Sequence, residues 1–285
     1  MSGKRAGNSY ENATGDARLS GDRKFVVALA RGLDVLRSFR PDDDMLGNLE
    51  IAERTGIPKP TVSRLTYTLT QLGYLAHVPR FSKYKIAPAA LALGYSALAQ
   101  LGIRQIARPY MQAIADQAGA SVALGAPDKR RMIYVEHCFN ATALMVRLDI
   151  GSRIPLAASA MGRAYIAVLP AEKREELFED LARYYGDRWP GLRRNIDGAC
   201  EEVARRGFSL SMGDWRQDIN GIGVPLVMPD GSGIYAFNCG AAAFSLSRDR
   251  LEQDIGPRLL DAVRQIRTVL NGGTSEWQTG NNRHH

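Results

Sequence analysis

Two short helical segments joined by a four-residue turn constrain the fold of this chain more than any other feature. The first segment runs from Leu49 to Thr55, with Asn48 as its predicted N-cap and Gly56 as its stop. The turn covers residues 56–59, and a second helix follows. Its apolar stripe at helical spacing is Val62, Leu65, Leu69 and Leu72. Two helices with so tight a connection predict a helix-turn-helix.

The residues on either side of this pair complete a small domain. Upstream, an amphipathic helix ends near Phe39. Its apolar stripe is Val26, Leu29, Leu33 and Leu36. Downstream, residues 74–78 and 84–87 have the character of strands, and a turn at 79–83 separates them. Three helices followed by a hairpin predict a winged helix-turn-helix over residues 23–87.

The charges in this region favour a nucleic-acid partner. The chain has 37 Lys and Arg against 30 Asp and Glu, a net charge of +7. From Arg54 to Ala115, however, there are eight basic residues and no acidic one. A phosphate backbone favours such a surface because carboxylates there would repel it. An apolar segment with a few solvated cations has the same composition, so the helix-turn-helix pattern decides between the two.

The second predicted helix presents polar side chains opposite its apolar stripe, and these are the candidate contacts to double-stranded DNA. The first residues of such a helix reach base edges in the major groove. The candidates are Lys59, Thr61, Ser63, Arg64 and Tyr67 on the helix, with Arg80 and Lys83 on the hairpin. The residue types leave open whether Arg64 pairs with a guanine edge or a phosphate. A solvated amphipathic helix is the alternative interpretation of the whole face.

The rest of the chain predicts a second domain of the α+β class. Residues 88–102 are helical in pattern and predict a linker helix, and hairpins alternate with helices over 103–272, which indicates an antiparallel sheet. The predicted strands are residues 121–126, 132–138, 142–148, 207–212, 222–227 and 234–240. The predicted helices of this domain are a first helix that ends near residue 118, one that begins near Ala160, and three that cover residues 171–183, 197–206 and 248–270. Residues 1–22 and 273–285 are polar and aperiodic, which predicts a disordered leader and tail.

Composition excludes several classes of protein. With 45% apolar and 24% charged residues, the chain is typical of a globular protein. It has no stretch apolar enough to cross a bilayer and no secretory signal, so we expect a cytoplasmic protein without a membrane partner. Its three cysteines lie far apart, which argues against a disulfide framework or a thiolate zinc site.

Three segments resemble the IclR family of bacterial transcriptional regulators. Residues 49–65 are similar to the family's helix-turn-helix, residues 151–164 to its effector-domain signature, and residues 221–226 to a third element. The order and spacing match across roughly residues 24–270. The resemblance implies a GAF-like C-terminal domain that binds an effector, homodimers or dimers of dimers on palindromic operators, and control of a catabolic operon.

A small organic acid is the expected effector. The loop that ends at Ser159 leads into a helix, so the amides of Ala160 and Met161 would lie at its N-terminus and favour a carboxylate. The resemblance implies an effector site at Val146, Ile154, Ala160, Met161, Asp214, Ile222, Val224, Phe237 and Cys239. Because Phe237 and Cys239 are apolar or nearly so, we expect an aromatic or otherwise bulky acid. Buried strand positions are the alternative interpretation of these two residues.

The sequence predicts no catalytic residue, metal site or cofactor. Glu136, His137 and Cys138 fall in a predicted strand, where neighbours alternate faces and cannot converge on one ion. Asp214, beside Trp215, is expected to be a ligand contact or loop cap. Two rival functions remain open: an enzyme acting on a small organic acid, and a nucleoid-type protein that binds DNA without sequence preference.

Overall fold

A computed structural model describes residues 24–140 and 148–280, and the chain divides into two compact units, Met1–Gln100 and Leu101–His285. The predicted leader, the last five residues and Val146 lie outside the described residues, as does the predicted strand at 142–148 apart from its final residue. No helix within the described ranges is long and apolar enough to span a membrane.

The N-terminal unit is a helix-turn-helix followed by a hairpin, as predicted. Its elements are α1 (Val27–Arg37), α2 (Asn48–Thr55), α3 (Lys59–Gln71), β1 (Leu75–Val78), β2 (Lys83–Ile86) and α4 (Pro88–Ala99). The strands β1 and β2 are antiparallel, and Leu46 forms a bridge to Tyr84 of β2. Gly56 ends α2 in the left-handed conformation, with φ of 69°. The core of this unit consists of Val35, Leu46, Ile51, Ile57, Val62, Leu69 and Leu75.

Two apolar stripes of this unit differ from the prediction. In α1, Leu29 and Leu33 are exposed, whereas Ala30 and Val35 are buried, because the helix turns its other face toward α3. In α3, the exposed Leu72 lies beyond the core, and Thr66 is buried between Val62 and Leu69.

The polar group of Thr66 is satisfied within the fold. Its Oγ1 donates to Asn48 Oδ1 at 3.0 Å. Asn48 is the first residue of α2, and the N-cap is Gly47 instead of the predicted Asn48.

The C-terminal unit is built on a six-stranded antiparallel sheet of order β5-β4-β3-β8-β7-β6. The strands are β3 (Ser121–Asp128), β4 (Arg131–Phe139), β5 (Arg153–Pro155), β6 (Ser209–Met212), β7 (Ile219–Val227) and β8 (Ile234–Ala242). The helices are α5 (Ile103–Ala118), α6 (Ala160–Ala167), α7 (Ala171–Tyr185), α8 (Trp189–Arg206), α9 (Arg248–Arg250) and α10 (Gly256–Gly280), with a π-helical turn at Leu251–Ile255. The α+β class is confirmed.

Three boundaries in this unit differ most from the prediction. The strand β5 lies in the segment predicted as a loop, where it pairs Ile154 with Met132 of β4. The helix α8 begins at Trp189, eight residues before the predicted start at Asp197. The last helix extends to Gly280, so the segment predicted as a disordered tail from 273 is helical up to that residue.

The sheet is the middle layer of three. A Cβ built at Gly223 of β7 would lie 2.4 Å from the carbonyl oxygen of Ala160, so this face packs directly on α6. A Cβ at Gly256, the first residue of α10, would lie 3.0 Å from Ile222 Cδ1. Since neighbours in a strand point to opposite faces, α10 covers the face of β7 that α6 does not. Below, these are called the α6 face and the α10 face.

Candidate nucleic-acid interface and ligand site

The helix α3 separates an inner and an outer face cleanly. Val62, Thr66 and Leu69 are buried against the rest of the unit. Four of the predicted DNA contacts are exposed on the other side, namely Lys59, Ser63, Arg64 and Tyr67, while Thr61 is partly buried. This outer face combines two cations, hydroxyl groups and one aromatic ring, the groups that contact phosphates and base edges.

Ion pairing divides the eight cations of the acid-free stretch into two halves. Four of them reach carboxylates outside the stretch: Arg54 pairs with Asp43, Lys83 with Glu50, and Arg104 and Arg108 with Glu136. The other four form no ion pair with any residue in the described ranges: Lys59, Arg64, Arg80 and Lys85. The uncompensated charge therefore lies on α3 and on the hairpin.

The two hairpin residues predicted to contact DNA are in different situations. Arg80 is exposed in the turn between the strands, where its guanidinium lies 5.4 Å from the ring centroid of Phe81. Lys83 Nζ lies 3.0 Å from Glu50 Oε2 and is drawn toward α2. The same carboxylate accepts the Gly47 N–H at 2.6 Å, and these two contacts lower the pKa of Glu50. Of the two, only Arg80 presents an unpaired charge.

The N-terminus of α6 has the features predicted for it. Ser159 is the N-cap, and its Oγ accepts the N–H of Gly162 at 3.0 Å. The amides of Ala160 and Met161 donate no hydrogen bond to any residue in the described part of the chain. Both residues are buried, and the Ala160 carbonyl accepts from Ser209 Oγ at 2.7 Å. Two buried N–H groups at a helix N-terminus favour an anion or an acceptor oxygen.

The predicted effector residues do not form one site. Ile222 pairs with Cys239 and Val224 with Phe237, so all four lie on one face of the sheet, and this is the α10 face. Each of the four is buried in the core. Ile154, Ala160 and Met161 lie on the opposite side, in the cluster around α6 or in the first turn of that helix. The argument for a bulky acid from Phe237 and Cys239 therefore has no structural basis.

A shift of one residue explains this outcome. Side chains in a strand alternate with a period of two, so a displacement by one position exchanges the faces of every residue. The residues of β7 and β8 on the α6 face include Gly221, Gly223, Asn238 and Gly240. The effector positions that the resemblance implied in β7 and β8 are Ile222, Val224, Phe237 and Cys239, each one residue away from these. The alternation of glycine with branched residues in Gly-Ile-Gly-Val was the available signal.

Two of these glycines, Gly221 and Gly240, are not in close contact with α6. A Cβ built at Gly221 would have as its nearest neighbours atoms of β8, at 3.2 Å or more. At Gly240 only Asn220 O and Asn238 Nδ2 come within 4 Å. In contrast to Gly223, a Cβ at Gly221 or Gly240 would therefore have no atom of α6 among its nearest neighbours, and we call these two positions the glycine floor.

A polar pair borders this floor. Asn238 Nδ2 donates to the Tyr134 hydroxyl oxygen at 3.2 Å. Tyr134 is buried, and burial raises the pKa of its hydroxyl well above its ordinary value. The hydroxyl is therefore neutral and can donate as well as accept, so Tyr134 and Asn238 supply hydrogen-bonding groups next to the glycine floor.

A separate cavity of about 740 Å³ lies between α8, β6 and the start of α9. Its charged lining residues are Arg163, Arg194, Glu201, Glu202, Arg205, Asp214 and Arg248. It contains Asp214 but none of the other predicted effector residues, and there Arg163 Nη1 donates to Asp214 Oδ2 at 2.8 Å. Asp214 thus holds the buried Arg163 side chain rather than facing the glycine floor.

Comparisons with known proteins cover both units. Residues 28–79 match the model of the IclR helix-turn-helix domain, and residues 95–268 match that of the bacterial transcriptional regulator IclR C-terminal domain. The chain is 34% identical over 248 residues to the HTH-type transcriptional regulator TsaQ1/TsaQ2 of Comamonas testosteroni, which spans 86% of this chain and 89% of that protein.

Solved structures agree with this assignment. An IclR family transcriptional regulator from Brucella abortus is 44% identical, with a TM-score of 0.79 over 87% of this chain and 94% of that one. An IclR homologue from Microbacterium hydrocarbonoxydans, solved in complex with 4-hydroxybenzoate, shares the fold at 21% identity, with a TM-score of 0.69 over 86% and 99% of the two chains. One family therefore accounts for the helix-turn-helix and the sheet unit together.

Proposed function

This chain belongs to the IclR family of bacterial transcriptional regulators, and from that premise we propose that it binds a palindromic operator as a homodimer or dimer of dimers and responds to a small aromatic acid. It is a DNA-binding regulator and not an enzyme. Because its proposed partner is operator DNA, we place it in the cytoplasm. The regulated genes are proposed to form a catabolic operon.

The outer face of α3 carries the proposal for DNA binding. Its exposed cations Lys59 and Arg64 are free of ion pairs with the described residues, and the inner face supplies the packing that holds the helix. We assign base or phosphate contacts to Lys59, Thr61, Ser63, Arg64 and Tyr67, and a backbone contact to Arg80. We expect Lys83 to contribute less to DNA binding than Arg80, because the carboxylate of Glu50 neutralises its charge.

Substitution of Arg64 tests this assignment. Arg64→Ala is expected to weaken binding to the DNA fragment upstream of the gene by about 1–3 kcal/mol, or roughly 5- to 150-fold, measured by fluorescence anisotropy. Arg267→Ala is the matched control, since it removes the same charge from an exposed position of α10. Equal affinities for the two variants would remove Arg64 from the interface. A footprint without a discrete protected site would favour a nucleoid-type protein.

Exposed apolar residues support the homodimer. In α1, Leu29 and Leu33 are half or more exposed, and α4 has no buried residue, with Leu91 and Tyr95 both about 70% exposed. Apolar faces of this kind are typical of surfaces that a second subunit covers. Sedimentation equilibrium is expected to give twice or four times the chain mass of 31.3 kDa. A monomer at micromolar concentration would contradict the proposal.

The α6 amides and the glycine floor carry the proposal for the effector. A carboxylate would accept from Ala160 and Met161 N–H, and a flat ring would lie over Gly221 and Gly240, where side chains are absent. The homologue that binds 4-hydroxybenzoate supports an aromatic acid. Ile154, Ala160 and Met161 remain in the proposed site, and Gly221, Asn238 and Gly240 join them.

Filling the floor tests the location of this site. Benzoate and 4-hydroxybenzoate are expected to raise the Tm of the wild type, and Gly221→Leu is expected to abolish the rise while operator binding persists. Arg205→Ala, in the 740 Å³ cavity, is the control that should retain the rise. A rise that survives Gly221→Leu and disappears in Arg205→Ala would move the effector to that cavity.

A further inference from the structure

His137 is a buried polar side chain that the fold does not use. The side chain is 1% exposed, and neither ring nitrogen has a hydrogen-bond partner among residues 24–140 and 148–280. The nearest carboxylate oxygen, Asp149 Oδ1, lies 3.7 Å from Nδ1, which is too long for a hydrogen bond. Leaving such a group unsatisfied is unfavourable, so an imidazole that is unpaired among the described residues is available to a ligand.

The sheet register places His137 beside the proposed effector site. His137 of β4 pairs with Ala123 of β3, which pairs with Asn238 of β8, which pairs with Gly223 of β7. Side chains opposite one another in a sheet share a face, so this row lies on the α6 face. At ordinary strand spacing His137 and Asn238 are about 10 Å apart, and Ala123 of β3 lies between them in the row.

Tyr134 connects His137 to the same floor. The rings of Tyr134 and His137 have their centroids 6.0 Å apart, and the Tyr134 hydroxyl accepts from Asn238. The next row along the sheet contains Gly240 and Gly221. The imidazole thus lies on the α6 face, two strands from Gly240 and with the Tyr134 ring beside it, while the α6 amides meet the sheet at the β7 end of the row.

We propose that His137 is the second polar contact of the effector site and binds a ring hydroxyl of an aromatic acid whose carboxylate lies at the α6 amides. This inference rests on the proposed function. Burial lowers the pKa of His137, so the imidazole is neutral, with one donor and one acceptor. A hydroxyl group matches both, because it donates and accepts. The carboxylate of Asp149 disfavours a second anionic group at this position.

The preference between hydroxylated and plain acids tests the proposal. The full-length wild type is titrated calorimetrically with benzoate and with the three monohydroxybenzoates. At least one hydroxybenzoate is expected to bind ten times more tightly than benzoate. In His137→Phe, which keeps the aromatic volume, the ratio is expected to fall below three while the benzoate affinity is retained. His137→Gln, which keeps a donor and an acceptor, is expected to restore part of the preference.

Each outcome separates this proposal from the one on which it rests. If none of the four acids binds, the effector site is wrong, and His137 loses its role with it. If benzoate binds as well as the hydroxybenzoates, or if His137→Phe retains the preference, the site stands and only the role of His137 is overturned.

Nitrogen-15 shifts of the histidine rings provide a readout that needs no variant. The chain has four histidines, and only the ring signals of His137 are expected to respond to the ligand. They should shift with the preferred hydroxybenzoate and not with benzoate. Unchanged ring shifts in the presence of saturating hydroxybenzoate would overturn the assignment of His137.

Discussion

The two units place their proposed functional residues in opposite relations to the core. In the N-terminal unit, Arg64 and Tyr67 lie on the outer face of α3, and the packing residues Val62 and Leu69 lie on the inner one. In the C-terminal unit the floor of the proposed site is part of the sheet itself. A helix that is buried on one side can separate binding from stability, whereas a central sheet covered on both sides cannot.

The first prediction concerns the face of the sheet that is buried under α10. Phe237→Ala is expected to reduce the free energy of unfolding by about 3–5 kcal/mol, because Phe237 is 1% exposed and its removal leaves a cavity. Chemical denaturation measures this loss. The rise in Tm with the preferred aromatic acid should persist, because Phe237 lies on the opposite face from the α6 amides. Loss of that response in a variant that still binds the operator would return Phe237 to the effector site.

The second prediction compares two glycines of β7 on the α6 face. Gly223→Ala is expected to cost about 1–3 kcal/mol, because its Cβ would meet backbone atoms of Ala160 and Met161, which cannot rotate away. Gly221→Ala is the matched control, with its nearest atom at 3.2 Å and an expected change within about 1 kcal/mol. Urea denaturation of both variants measures the difference. Equal losses of stability in the two variants would contradict the conclusion that α6 packs closely on Gly223 but not on Gly221.

These two positions also show which parts of the molecule could be predicted from the sequence. The turn of the helix-turn-helix was predictable because Gly56 and the proline-flanked start of α3 act locally. The hairpins were predictable from their alternation and turns. The proposed ligand residues of β7 were not, because an assignment displaced by one residue reverses the face, and only packing against α6 fixes it.

The partners of polar side chains could not be predicted from the sequence for a related reason. Nothing in the local pattern around Lys83 shows that Glu50, 33 positions earlier, neutralises it. Likewise, His137 stands in an ordinary strand, and only the register with Ala123 and Asn238 places it beside the glycine floor. Long-range pairing decides which charged or polar group is available to a ligand.

The third prediction separates the two cations of the hairpin. Arg80→Ala is expected to make the log–log dependence of operator affinity on salt shallower by about one unit, as for the loss of one phosphate contact. Lys83→Ala is the matched control and should leave the slope unchanged, because Glu50 already neutralises the ammonium group. Anisotropy titrations at several salt concentrations measure both slopes. A change in slope for Lys83→Ala as large as that for Arg80→Ala would mean that the Lys83–Glu50 ion pair opens when the protein binds DNA.

The smallest expected effect is the pH dependence of the Glu50 contacts. The Gly47 N–H and the Lys83 ammonium lower the pKa of Glu50 in the folded state. Their stabilisation is therefore present above the unfolded value of about 4.3 and is lost as the pH falls through the lower folded value. Because both side chains are more than a third exposed, Glu50→Gln should cost less than about 1 kcal/mol at pH 7.

Thermal unfolding between pH 3 and pH 7 measures this difference. Glu53→Gln is the control, since it removes the same charge from an exposed position of α2. The gap between wild type and Glu50→Gln should narrow below about pH 4, whereas the control should show no such gap at pH 7. A gap that persists unchanged at pH 3 would mean that Glu50 stabilises the unit through packing. In that case Glu50, which contacts Lys83 of the hairpin, would also contribute to the packing of the N-terminal unit. The contrast with the C-terminal unit would then be limited to α3.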